Sequence, residues 1–131
     1  IGREWSRVRV TDGVLVSEAV LIANPYSLKD RAKAEKISDI VAIFRGVIDA
    51  RSRYHIFINV RRSNLEELLK ILPALKSPTI SPLADPEWVA INTVIGKEVL
   101  IRIMPVLRRL AQGLVVYEPK LVIPLEDLGR G

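Results

Sequence analysis

Arg53-Tyr54-His55-Ile56-Phe57-Ile58-Asn59-Val60 is the stretch whose pattern decides the fold. Tyr54, Ile56, Ile58 and Val60 point one way, while His55, Phe57 and Asn59 point the other. A period of two belongs to a β-strand, whose successive side chains stand on opposite faces of a sheet. The first set is apolar and predicts a buried side. The second mixes an imidazole, a phenyl ring and an amide, and predicts a face that is not simply core.

Downstream, Ser63-Asn64-Leu65-Glu66 has the spacing of a capping box, in which the Ser hydroxyl accepts from the third helical N–H and the Glu reaches back. The helix predicted there carries Leu65, Leu68, Leu69 and Leu72 on one face and ends at Pro73. Two β-type segments follow, at 79–83 and 88–95, with Ala84-Asp85-Pro86-Glu87 as the turn between them. Gly96 opens a second helix, Lys97 to Ala111, with Val99, Ile103, Leu107 and Leu110 facing inward. Pro105 lies inside it, removes one backbone hydrogen bond and predicts a kink. Leu114 to Ile123 reads as a last strand, interrupted by Pro119 and closed by Pro124.

From Arg53, the order strand, helix, strand, strand, helix, strand is the split βαβ, or ferredoxin-like, arrangement. The fold class is therefore α+β, with an antiparallel four-stranded sheet and both helices on one face. The other face is left open, and its apolar residues predict a partner, most simply another copy of the chain.

Upstream, residues 13–23 (GVLVSEAVLIA) are apolar and β-branched and predict a buried strand or two. Asn24-Pro25-Tyr26-Ser27 breaks that pattern, since Pro25 removes a donor and keeps Asn24 out of helical geometry. An amphipathic helix is predicted from Leu28 to Ala50. Its stripe of Ile37, Ile40, Val41, Phe44, Val47 and Ile48 is expected to lie against a sheet.

A length of 131 residues suits one ordinary domain, or a small domain plus part of another. Hydrophobic residues at 49% and charged residues at 27% exclude a disordered chain, and 5% aromatic content leaves the core to Val, Ile and Leu. The absence of cysteine excludes disulfides, thiolate metal sites and a cysteine nucleophile. It also leaves the compartment unread, with the cytoplasm as the default. No apolar run approaches the roughly 20 residues that span a bilayer, so no membrane is expected.

The net charge of +5 is dispersed, with small groups at Arg61–Arg62 and Arg108–Arg109 and many acids interleaved. It reads as a solvated surface rather than a phosphate-binding patch, so nucleic acid is not an expected partner. An RNA-binding sheet would need aromatics stacked on its central strands, and Tyr54 and Phe57 lie on opposite faces. His55, the only histidine, reads as structural in this strand, and Asp85 and Glu87 as turn residues without a supporting acid–base cluster.

The most specific signal is Ile71-Leu72-Pro73-Ala74-Leu75-Lys76-Ser77-Pro78-Thr79-Ile80-Ser81-Pro82-Leu83-Ala84-Asp85. It resembles the LPxLxSPT(I/V)xPL stretch in the C-terminal domain of long-form ATP phosphoribosyltransferases. Trp88-Val89-Ala90, Ser17-Glu18-Ala19 and Val122-Ile123-Pro124-Leu125-Glu126 are also similar to that family, in order and at suitable spacing along nearly the whole chain.

The resemblance implies the first step of histidine biosynthesis, transfer of a phosphoribosyl group from phosphoribosyl pyrophosphate to ATP with magnesium. It implies a catalytic portion resembling a two-lobed periplasmic binding protein. It further implies a ferredoxin-like C-terminal domain that binds L-histidine and favours an inhibited hexamer over an active dimer. Residues 1–27 then correspond to the end of the catalytic region, 28–52 to a connecting amphipathic helix and 53–131 to the regulatory domain.

This sequence carries no Gly-rich phosphate-cradling loop. The chain is therefore expected to hold no magnesium itself and to be inactive without the rest of the catalytic region. The effector positions carried over are Leu75 and Thr79 of the LxSPT segment, and Asn59, where the family often has Asp facing the ligand imidazole. A small residue of the final strand completes the family's pocket; Leu114 and Pro119 both match it, because about five extra residues lie between Gly113 and Lys120. A free-standing ferredoxin-like sensor without a catalytic partner is the alternative reading.

Overall fold

The computed structural model describes residues 6–11, 14–72 and 77–124. The chain divides into two compact units, 1–40 and 41–131, and the boundary falls inside a helix.

In the first unit, β1 (Ser6–Thr11) and β2 (Val14–Ala19) form an antiparallel pair in which Ser6 stands opposite Ala19 and Thr11 opposite Val14. Val20, Leu21 and Ile22 are exposed, so the expectation of a buried strand there is not met beyond β2. Chain direction changes at Asn24, as the Asn-Pro break predicts. The Asn24 Oδ1 accepts from the Tyr26 N–H at 2.8 Å and starts α1 (Pro25–Lys29).

The helix expected over 28–50 is in fact two. Asp30 interrupts it: its carboxylate accepts from the Lys33 N–H at 3.1 Å and its carbonyl from the Ala34 N–H at 2.8 Å, so it caps the start of α2 (Arg31–Ala50). An Asp side chain that bonds the backbone two or three residues on competes with helix continuation, and here it wins. Among the described residues, the expected burial of the α2 stripe is met only in part, with Ile37 and Val41 half-buried. Ile40, Phe44, Val47 and Ile48 are exposed, and only Gly46 and Ala50 are buried in the helix.

The second unit holds the sheet. Its elements are β3 (Arg53–Arg61), α3 (Leu65–Ile71), β4 (Thr79–Pro82), β5 (Trp88–Gly96), α4 (Lys97–Leu110) and β6 (Ala111–Tyr117). The strands lie in the order β4-β5-β3-β6 and every neighbouring pair is antiparallel. This is the expected α+β arrangement: a four-stranded antiparallel sheet with helices, compatible with a ferredoxin-like domain. The hairpin turn between β4 and β5 is held by Asp85, whose carboxylate accepts from the Glu87 N–H at 2.9 Å and whose carbonyl accepts from the Trp88 N–H at 3.1 Å.

Ile56, Ile58 and Val60 of β3 and Val89, Ile91 and Ile95 of β5 are fully or almost fully buried beneath Leu68 and Leu72 and the α4 residues Val99, Leu100, Ile103, Leu107 and Leu110. Each such side chain contributes about 1.5–3 kcal/mol on leaving water. The helices thus cover the face predicted to be apolar. Tyr54 shares that face at its edge, where Lys97 Nζ lies 4.9 Å from its ring centroid and 2.9 Å from a Glu118 carboxylate oxygen.

The capping box is not formed. Ser63 lies in a single 3-10 turn at Arg62–Asn64, and α3 starts after it with no side-chain cap. The cause is tertiary. The Arg62 N–H donates to the Glu87 carbonyl at 2.8 Å and its Nε donates to the Pro86 carbonyl at 3.1 Å, tethering this turn to the β4–β5 hairpin.

The last strand begins earlier than its sequence suggests, at Ala111, and ends at Tyr117. Residues 121–123 then run along α2. The Val122 N–H donates to the Gly46 carbonyl at 3.1 Å, and Leu121 and Ile123 occupy the space that a Cβ on Gly46 would need.

Candidate functional site

The helix-free face of the sheet is set by strand alternation. Cross-strand partners share a face, so the registers define its rows. Thr79 of β4, Asn92 of β5, Phe57 of β3 and Val115 of β6 form one row. Ser81, Ala90, Asn59 and Gly113 form the next, and Val94, His55 and Tyr117 flank on the other side of the first. Trp88 and Arg61 close the far end, with the Arg61 guanidinium 4.8 Å from the Trp88 ring centroid and 3.4 Å from a Glu87 oxygen.

Two of the three predicted site residues therefore come together on one face. Asn59 and Thr79 are both exposed, and among the described residues no side-chain hydrogen bond engages either. Leu75, the third, lies outside the described residues. Between Asn59 and Thr79 are two strand spacings and two residues of rise, which places their backbones about 12 Å apart. Side chains reaching inward from both ends leave a gap that suits a small molecule with polar groups at its two ends.

The face between them carries a small residue, Ala90, beside the larger Asn92 and Phe57. Ala90 lies between Ser81 and Asn59, and Gly113 lies beyond Asn59, where an added Cβ would meet nothing within 4 Å. Thr79 begins β4, the edge strand; the Leu83 N–H donates to the Trp88 carbonyl, so by alternation the Thr79 and Ser81 N–H groups also face β5, and the hydroxyl is what Thr79 presents to the face.

Of the two residues matched to the family's final-strand position, neither stands on this face of β6. Leu114 pairs with Ile58 and packs against the core on the helix-covered face, and Pro119 lies beyond the end of β6. Gly113 is the β6 residue that faces Asn59. The register shifts between Asn59 and Val60, so that Val60 pairs with Ala111 and Gln112 is the extra residue. A bulge of one residue changes which side chains face out relative to an unbroken alternation.

Sequence reasoning also missed the aromatic wall at the end of the face. Phe57 and Tyr117 meet edge to face with ring centroids 5.8 Å apart, and His55 lies against Phe57 at 4.6 Å. The His55 Nε2 is hydrogen-bonded to the Asn92 Oδ1. Only the β6 register puts Tyr117 beside these residues; no local signal does. Arg61, read as solvated, and Trp88, read as an anchor, are paired with each other at the hairpin.

For the magnesium that the resemblance implies for a full enzyme, the donors here do not fit. Among the described residues no group of three or more His, Asp or Glu side chains is placed to hold a metal ion. Nor, among them, is any helix long and apolar enough to cross a membrane.

Residues 50–119, which contain Asn59, Thr79, Asn92 and Gly113, match the family model described as the HisG C-terminal domain. An ATP phosphoribosyltransferase of Koribacter versatilis is 42% identical over 113 residues, covering 86% of this chain and 39% of its own length. One from Solibacter usitatus is 39% identical over the same shares. One from Methanocaldococcus jannaschii is 34% identical over 124 residues, covering 94% of this chain and 41% of its own length. The chain spans about two fifths of the length of these relatives. With most of its length and its whole four-stranded sheet inside these matches, the chain belongs to the HisG C-terminal domain family.

Proposed function

We propose that this chain is the C-terminal regulatory part of an ATP phosphoribosyltransferase, binding L-histidine on the open face of its sheet and coupling that binding to oligomer assembly. On this reading phosphoribosyl transfer, its magnesium and its phosphate loop belong to residues outside this chain, which by itself is inactive. Residues 1–27 are then the end of the catalytic region, 28–52 a connector and 53–131 the regulatory domain. The enzyme is cytoplasmic and homo-oligomeric, dimer or hexamer, with histidine favouring the larger form.

The observation that carries the reading is that Asn59, Thr79 and Gly113 share one face of the sheet, where the Asn59 and Thr79 side chains are exposed and without a hydrogen-bond partner among the described residues. The Thr79 hydroxyl suits the carboxylate of an amino acid, and the Asn59 amide suits an imidazole nitrogen. Leu75 is assigned to the same pocket by the motif alone. The open face and the exposed α2 stripe supply apolar surface for neighbouring subunits and for the catalytic region.

Calorimetric titration with L-histidine, accompanied by size measurement, tests this. The expected result is saturable binding to the wild type, weakened about tenfold or more in Thr79→Ala through loss of a hydrogen bond to a charged group. A folded wild-type chain that takes up no L-histidine at millimolar concentration overturns the reading.

A further inference from the structure

Asn92 has no role in the pocket described so far, yet it stands at its centre. In register it lies between Thr79 on the β4 side and Phe57 on the β3 side, and it shares their face. It is half-buried, and its Oδ1 is hydrogen-bonded to the His55 Nε2. A carbonyl oxygen has no hydrogen to give, so the ring N–H is the donor and the amide is held in one orientation. The amide is planar. With Oδ1 committed to His55 on β3, Nδ2 remains as the donor end of the amide. Its two N–H groups have no partner among the described residues.

A donor pair in the same cross-strand row as a Thr hydroxyl is an arrangement for an anion, and the carboxylate is the anionic group of an amino-acid ligand. We propose that Asn92 is a direct contact of the effector, its Nδ2 donating to the ligand carboxylate, and that His55 is a positioning residue that fixes the Asn92 amide. This rests on the reading that the open face binds L-histidine. It extends the site from the two ends of the trough to its middle strand and gives the chain's only histidine a task other than packing.

The decisive variant is Asn92→Asp. An Asp at this position keeps an oxygen for the His55 N–H and the same shape, so any purely structural role is preserved. It removes both donors and sets a negative charge against the carboxylate. L-Histidine binding to the 131-residue chain is expected to fall about tenfold or more, with an unchanged or higher melting temperature. His55→Ala is expected to weaken binding severalfold, and His55→Gln, which retains a side-chain N–H donor, to recover most of it.

Thr79→Ala measured alongside separates the two levels of the argument. If Thr79→Ala loses affinity and Asn92→Asp binds as the wild type does, the pocket stands and the role of Asn92 is overturned. Equal affinity of the two His55 variants removes the positioning role. If the folded wild type binds no L-histidine, the pocket falls and the role of Asn92 falls with it.

Discussion

Gly113→Val turns the trough into a two-sided prediction, because stability and binding should move in opposite directions. Gly113 lies in β6 opposite Asn59, on the uncovered face, and its backbone is one that residues with side chains adopt. A Cβ there meets no atom within 4 Å, so the added carbons do not collide with the protein. Removing a strand glycine recovers about 0.5–1 kcal/mol of backbone entropy. A β-branched residue suits the pleated surface, on a scale spanning about 1 kcal/mol. A net gain of about 1 kcal/mol corresponds to a rise of about 3–5 °C in Tm for a chain of this size.

The same three carbons fill the floor beside Asn59. L-Histidine affinity is therefore expected to fall at least about tenfold, from the loss of its contact with Asn59 and of the space it occupies. Differential scanning calorimetry and titration on one preparation give both numbers. A variant that melts higher and binds L-histidine like the wild type refutes the placement of the ligand over Gly113. A variant that melts several degrees lower refutes the open space above it.

Two further expectations concern the scaffold. Ile91→Ala removes a fully buried side chain from the central strand β5 and should cost about 2–5 kcal/mol, seen as a lower urea midpoint with an unchanged slope. Gly46→Val puts a side chain where Leu121 and Ile123 already lie, 2.7 and 2.6 Å from its Cβ. It should cost about 1–3 kcal/mol and speed amide exchange at Val122, whose N–H loses its acceptor on α2.

What was legible in the sequence was whatever a local pattern determines. The alternation of residues 54–60 placed Ile56, Ile58 and Val60 in the core and Asn59 on the other face. The spacing of Val99, Ile103, Leu107 and Leu110 gave the inner face of α4. Asp85-Pro86 gave the hairpin turn. Apart from the helix break at Asp30, which is local, the misreadings arise where a distant partner decides. Ser63 has a capping spacing, but the grip of the hairpin on Arg62 holds it in a 3-10 turn. The stripe of α2 is periodic, but periodicity does not say what covers it, and within this chain Ile40, Phe44, Val47 and Ile48 remain exposed. The bulge at Gln112 breaks the alternation along β6, so which of its residues stands beside Asn59 could not be read from the sequence. Asn92 carries no signal of its own. Its significance comes from lying opposite Thr79 and within reach of His55, and both facts belong to strand pairing.

The bond from Val122 to Gly46 makes the route of the chain through its second unit a nearly closed circuit. The helix that leads into the sheet and the stretch that leaves it are fastened side by side, so polypeptide arriving and polypeptide departing do so at one spot. Closing so long a loop adds little to the entropic cost, since that cost grows only with the logarithm of length. A unit with adjoining ends behaves as a plug. It can be inserted into, or carried at the border of, a larger protein without spreading the host apart, and whatever moves the plug moves both of its leads together.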